Sequence, residues 1–236
     1  MLPVAILAGG LATRLRPVTE KVPKSLLELN GEPFIVHQLR LLRAKGVRRV
    51  VLCAGFLGEM IRDLVGDGRE FGLEVGYSFD GAALLGTAGA VKNALPLMGE
   101  AFLTLYGDSY LTCDYAAVTR AFEASGKLAL MTVFRNLGKW DTSNVEFRSG
   151  EILAYSKKNR TPRMEYIDYG LGVFSREAFE RVAAGQTFDL AELYGQVLAE
   201  GQLAGFEVRE RFYEIGSVAG WEETAQFLMS QRVARV

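Results

Sequence analysis

Residues 34–53 read FIVHQLRLLRAKGVRRVVLC, and their two periodicities decide the fold class. In Phe34–Ala44 the apolar side chains recur at helical spacing, whereas Arg49–Cys53 is a short β-branched run of the kind that forms a buried strand. A helix running straight into such a strand is half of a β-α-β unit, and Val4–Leu7 supplies the strand before it. The alternation continues downstream. Leu57–Val65, Thr87–Ala94 and Tyr115–Ser125 read as helices, and Leu73–Tyr77, Ala101–Tyr106 and Leu128–Val133 as strands. Strands separated by helices predict a mostly parallel sheet with helices on both faces.

Beyond Arg135 the rhythm changes. Asn144–Phe147, Ile152–Tyr155 and Tyr166–Phe174 are predicted as shorter strands, followed by helices near Arg176–Val182 and Leu190–Glu200. Strands over Leu203–Val208 and Phe212–Ile215 come next, and Trp221–Val233 closes as an amphipathic helix. No low-complexity linker or internal repeat divides the chain, so residues 1–236 are expected to form a single domain, with 136–236 a lid-like extension of 1–135.

The composition narrows the function classes. With 27 Lys and Arg against 28 Asp and Glu, the formal charge is −1. That balance argues against non-specific binding to nucleic acid or to an anionic membrane, both of which need a basic excess. The single histidine, His37, excludes multi-histidine zinc sites. Cys53 and Cys113 lie in apolar surroundings without a CxxC and read as reduced core residues of a cytoplasmic protein. The apolar start has no preceding basic residue and is too short to span a bilayer, so it reads as a first strand.

In sheets of this class ligands bind beyond the carboxyl ends of the strands. After Leu7 the chain reads LAGGLATRLRPVTEKVPKSLL through Leu27. Ala8-Gly9-Gly10 removes side chains where the strand ends, leaving backbone N–H groups free to approach a ligand. Arg14, Arg16, Lys21 and Lys24 against Glu20 give the loop a local charge of +3, which suits a polyanion, although the glycine pair alone is equally compatible with a solvated basic turn. Neither GxxxxGK[ST] nor GxGxxG is present. Gly107-Asp108 places a carboxylate after the strand at 101–106, and Gly86-Thr87 reads as a capped helix start able to seat a polar ligand.

From Leu7 to Pro33 the chain resembles the signature of sugar-1-phosphate nucleotidylyltransferases, LAGG-x-x-TRL-x-P-x-T-x-x-x-PK-x-LL-x-x-x-G-x-P. Further matches are GDGREFGLEVGYS at 66–78, LGTAGA at 85–90, the Asp108 strand, and FYEIGSVAGW at 212–221. The resemblance implies a Rossmann-like α/β/α sandwich with a mixed, mostly parallel sheet. It implies that residues 1–135 bind nucleotide and 136–236 bind sugar. Leu7, Ala8, Gly9, Gly10, Thr13, Gly86 and Thr87 would then hold a nucleoside triphosphate. Arg14 would stabilise the pyrophosphate leaving group, and Lys24 the α-phosphate and the attacking sugar phosphate. Asp108 and Glu214 would bind Mg²⁺, with Glu214 standing where the family has Asp.

For the sugar 1-phosphate the resemblance points to Asn144, Lys158, Asp168 and Gly170. Three departures fall in this pocket: Lys157 stands for a glutamate, Asp168-Tyr169 for Asn-Ala, and Asn144 for a glycine. The short chain, LGTAGA and the absence of a glutamine before it resemble the mannose- and heptose-1-phosphate guanylyltransferases, so GTP and a manno-type sugar are expected. Alternatives are a uridylyltransferase for an amino-sugar phosphate and a cytidylyltransferase for phosphocholine, caged by Tyr155, Tyr166 and Tyr169. A silent nucleotide-sugar-binding regulator is a third, and a homo-oligomer is compatible with all of them. His37 reads as structural. Trp140 and Trp221 read as packing anchors, with a lid role for Trp140 as the alternative.

Overall fold

The valine-rich segments dictate a central sheet, and the computed structural model, which describes residues 1–10, 15 and 18–233, places them there. In chain order β1 is Val4–Leu7, β2 Glu28–Leu29, β3 Glu32–Pro33, α1 Phe34–Ala44, β4 Arg49–Ala54, α2 Gly58–Val65 and β5 Glu74–Phe79. Then come α3 Gly86–Ala94, β6 Ala101–Tyr106, β7 Ser109–Tyr110, α4 Tyr115–Ser125, β8 Ala129–Arg135, β9 Val145–Arg148 and β10 Glu151–Tyr155. The last are β11 Tyr166–Ser175, α5 Leu190–Ala199, β12 Leu203–Val208, β13 Tyr213–Glu214 and α6 Val218–Val233.

β1 lies between β4 and β6, parallel to both, in a register that sets Leu7 opposite Cys53 on one side and Tyr106 on the other. β5 extends the parallel run beyond β4. On the other side β11 runs antiparallel between β6 and β8, and β12 is parallel to β8. The β9–β10 hairpin joins at Tyr166, opposite Val145. Both halves of the chain therefore contribute strands to one mixed, mostly parallel sheet.

Alternation along β1 sends Val4 and Ile6 to one core with α1, α2 and α4, and Ala5 to another with α3 and α5. Burying each such Val, Leu or Ile contributes about 1.5–3 kcal/mol. A third cluster joins Leu29 and Phe34 to Ile215 and Leu228, so α6 packs back onto the chain that follows the first loop. His37 is buried, its Nε2 3.0 Å from the Leu29 carbonyl, as a structural residue should be.

Two expectations fail locally. Arg176–Arg181 is a tight 3₁₀ segment started by Ser175, whose Oγ accepts from the Ala178 N–H. The closing helix begins at Val218 instead of Trp221 and has no clean apolar stripe: Leu228 is buried while Val218 and Met229 stay exposed. The two-residue ribbons β2–β3 and β7–β13 are too short for any periodicity to show. Among the described residues no helix is long and apolar enough to cross a membrane.

Candidate active site

The site begins where β1 and β6 end side by side. The Gly107 N–H donates to the Leu7 carbonyl at 2.9 Å, and a Cβ at 107 would lie 2.6 Å from that same oxygen. Only glycine lets the chain fold this tightly against β1, and the turn brings Asp108 over the sheet edge. Lys24 opens the 3₁₀ segment Lys24–Leu26 after Pro23, whose fixed φ directs the chain. Its Nζ donates to Asp108 Oδ2 at 2.8 Å, across 84 residues of sequence. Leu7, Ala8, Gly9, Gly10, Lys24, Gly86, Thr87 and Asp108 all line one cleft of about 330 Å³, within the size range of small-molecule sites. Thr13 and Arg14 lie outside the described residues.

Glu214 arrives from the other end of the chain. β13 pairs with β7 so that Glu214 sits opposite Ser109, and the Ile215 N–H donates to the Asp108 carbonyl at 2.9 Å. Burial raises the Glu214 pKa, the Gly216 N–H draws it down, and the charge of Asp108 pushes it up again. Asp108 and Glu214 thus form two hard-oxygen donors held close enough to repel one another. A divalent cation between them would relieve that repulsion, and the donor set suits Mg²⁺. Among the described residues they have no third His, Cys, Asp or Glu beside them.

The start of α3 is capped, as Gly86-Thr87 predicts, and its first N–H groups are taken up within the chain. The Ala88 and Gly89 N–H groups donate to the Phe188 carbonyl at 2.8 and 3.0 Å, and the Thr87 N–H to Asp189 Oδ1 at 3.3 Å. The second half of the chain caps this helix itself. Gly86 is required because its φ is +71° and a Cβ would lie 2.7 Å from the Phe188 carbonyl oxygen. Gly86 and Thr87 nevertheless line the cleft, with Asp80 and Asp189, which sequence reading did not single out as site residues. Asp80 Oδ2 accepts from the Leu85 N–H at 3.2 Å, while its Oδ1 is buried without a partner, and burial raises its pKa.

Tyr106 and Asp108 also belong to the wall of a second cleft, of about 370 Å³, formed largely by residues 141–214. Here Asn144, Asp168 and Gly170 come together. Asn144 Oδ1 accepts from the Asp168 N–H at 2.9 Å, and Asp168 Oδ1 from the Gly170 N–H at 3.1 Å. Burial raises the Asp168 pKa, and Lys157 and the Gly170 N–H oppose it. Lys157 lines this cleft, its ammonium 5.6 Å from the Tyr106 ring centroid. Lys158 does not: after β10 ends, Ser156 Oγ accepts from the N–H groups of Lys158 and Asn159, and the turn leaves Lys158 exposed outside the lining. Of the two lysines, Lys157 is the one that lines this cleft.

The aromatic residues do not form a cage. Tyr155 packs edge-on against Tyr194, Tyr166 against Phe147, and Tyr169 against Phe134 and Phe212. Trp140 lies 47% exposed, with the Arg211 guanidinium 3.4 Å from its ring centroid, in a loop braced by the buried Asn136 side chain. It anchors the loop carrying Asp141 and Thr142, both of which line the second cleft. Trp221 donates its indole N–H to the Glu28 carbonyl at 3.2 Å, which ties α6 to β2.

The chain is 29% identical to an N-acetylmuramate alpha-1-phosphate uridylyltransferase of Neisseria meningitidis, over 92% of this chain and 94% of that one. It is 28% identical to the mannose-1-phosphate guanylyltransferase catalytic subunit beta of Xenopus tropicalis over 89% of its own length, but spans only 60% of that longer protein. In fold it is similar to HddC from Yersinia pseudotuberculosis, solved with GMP-PN, with a TM-score of 0.80 at 22% identity over 97% of this chain and 100% of that one. The family model for nucleotidyl transferases matches residues 4–229, so this chain is a nucleotidyltransferase of that family.

Proposed function

We propose that the protein transfers a nucleotidyl group from GTP to the phosphate of a sugar 1-phosphate of manno or heptose type, with release of pyrophosphate. The observation that carries this reading is the Lys24–Asp108 pair, 2.8 Å apart where the two clefts meet. An ionised oxygen of the sugar phosphate attacks the α-phosphorus, a P–O bond forms, and the bond from the α-phosphorus to the pyrophosphate oxygen breaks. The nucleophile carries no proton at neutral pH, so no general base is needed, and the buried His37 is not called upon. The work is in-line positioning and neutralisation of crowded charge.

In this reading residues 1–135 bind the triphosphate and 136–236 the sugar. Lys24 bridges the α-phosphate and the incoming phosphate, and Arg14 neutralises the leaving pyrophosphate. Asp108 and Glu214 hold Mg²⁺, which supplies charge neutralisation on the phosphates. Lys157 meets the acceptor phosphate, Asp168 accepts from sugar hydroxyls, and Asn144 holds Asp168 in place.

Guanine is favoured because Asp80 and Asp189 give the first cleft acceptor groups and no side-chain amide. Guanine offers adjacent N1–H and N2–H₂ donors to such a wall, and a wrong base leaves buried polar groups unpaired at about 1–3 kcal/mol each. The near full-length likeness to the Neisseria uridylyltransferase favours a second reading, UTP with an amino-sugar 1-phosphate. Phosphocholine is disfavoured by the divergent tyrosines.

The test is kcat/KM for GTP, UTP, CTP, dTTP and ATP against mannose, heptose, glucose and amino-sugar 1-phosphates. GTP is expected to lead by about tenfold or more. A preference for UTP overturns the base, and no turnover with any pair overturns the reaction.

A further inference from the structure

Of the carboxylates proposed to bind metal, Glu214 sits on the two-residue ribbon β7–β13 and Asp108 in the turn that leads into it. Such a ribbon could not hold its own position: a two-stranded pair is at best marginally stable alone. Something must anchor it to the sheet. Gln38, in the middle of α1, is fully buried among the apolar residues of that helix. Its Nε2 donates to the Tyr106 carbonyl at 3.0 Å and to the Ser109 carbonyl at 2.8 Å. These two carbonyls flank Gly107-Asp108, so one amide clasps both ends of the turn that carries Asp108. Ser109 is also the residue opposite Glu214. The same clasp therefore fixes the ribbon that sets one carboxylate against the other.

The other half of the amide has no visible role. Gln38 Oε1 is buried without a partner, a cost that a leucine or methionine at this core position would avoid. What the side chain contributes is its two N–H groups. One residue earlier, His37 meets the Leu29 carbonyl, just beyond the segment that begins with Lys24. A single turn of α1 thus grips both chain segments whose side chains meet at 2.8 Å.

We propose that Gln38 is a positioning residue for metal binding, which holds the Asp108 turn and the Glu214 ribbon in the geometry that a divalent cation requires. It touches no substrate. The inference rests on the assignment of Asp108 and Glu214 as metal ligands made above. Residues that orient metal ligands cost about ten- to a hundredfold in metal affinity or activity when replaced.

The experiment uses the full chain with Gln38→Met, which keeps the shape and removes both donors, and Gln38→Glu, which keeps the shape and at most one donor. Each is measured for thermal stability, kcat, the KM of the sugar phosphate, the Mg²⁺ concentration giving half-maximal rate, and amide hydrogen exchange without ligands. In Gln38→Met the Mg²⁺ requirement should rise about tenfold or more while the acceptor KM stays within about twofold. Exchange should rise selectively in 107–111 and 213–217. Gln38→Glu should fall between Gln38→Met and the wild type, and it carries the test alone if the methionine variant does not fold. Unchanged Mg²⁺ dependence and unchanged exchange in a folded variant overturn the proposal. A wild-type enzyme indifferent to Mg²⁺ overturns instead the metal assignment on which it rests.

Discussion

The two clefts that meet at Asp108 are built by opposite means. The first is rich in backbone: β1, β4 and β6 end in parallel, and glycine brings carbonyls and N–H groups to an edge that Lys24, Asp80, Asp108 and Asp189 also line. The second is made of side chains, Asn144, Lys157 and Asp168 among them, held on antiparallel segments and turns. In the proposed reading this backbone-rich cleft holds the triphosphate. A side-chain cleft can be altered one residue at a time, which is where a choice of sugar belongs. Substitutions should accordingly act on turnover at the junction of the clefts and on acceptor use in the second one.

The largest effects should come from the junction. Asp108→Asn and Glu214→Gln are each expected to lower Mg²⁺-dependent turnover by about a thousandfold, since a neutral amide is a poor ligand for a hard dication. Steady-state rates across a Mg²⁺ titration measure this. Wild-type behaviour of Glu214→Gln at low Mg²⁺ would move the second ligand elsewhere. Lys24→Ala should follow, with kcat lower by about a hundredfold and the melting temperature little changed, because the lost contact is a partly exposed ion pair. Near-normal kcat would remove Lys24 from the chemistry.

These groups were legible in the sequence for a physical reason. Leu7–Gly10, Lys24 and Asp108 lie directly at or after strand ends, or after a proline that aims the chain, so the strand pattern and the residue type together locate them. The parallel half was legible for the same reason, since each strand is followed by a helix with a clear period. What escaped depended on pairings without period. Asp189 reaches the first cleft only because the 186–189 loop caps α3, and nothing local in TFDLAEL announces it. Lys157 and Lys158 are adjacent and alike, and only the turn at Ser156 after β10 sets which of them lines the second cleft. Gln38 is an ordinary residue of an amphipathic helix until its two carbonyl partners are seen.

That lysine pair sharpens the comparison at intermediate scale. Lys157→Ala should raise the KM of the sugar phosphate by about tenfold with a smaller change in the KM of the triphosphate, as the loss of a phosphate contact confined to the second cleft requires. Lys158→Ala should leave both constants within about twofold, as surface substitutions usually do. Initial rates with each substrate varied separately distinguish the two, and the reverse order would return the assignment to Lys158.

The smallest expected effect is on stability, and it tests whether Asp168 is a placed carboxylate or an incidental one. Burial raises its pKa from the ordinary carboxylate value, with Lys157 and the Gly170 N–H offsetting only part of the cost. A carboxyl group with a raised pKa in the folded state binds more protons there than in the unfolded chain. Folding stability must then fall as pH rises from the ordinary carboxylate value of about 4 through the raised one. Asp168→Asn removes the titration and keeps an oxygen for the Gly170 N–H. The variant should therefore melt at or above the wild-type temperature at neutral pH, with the two curves converging below about pH 4. At the same time its kcat/KM for the sugar phosphate should fall by about tenfold, since the anionic acceptor is gone. More stability with less activity is the signature of a charge held against its own cost for a ligand. A variant that is both less stable and fully active would show that Asp168 braces the fold and does not touch the sugar.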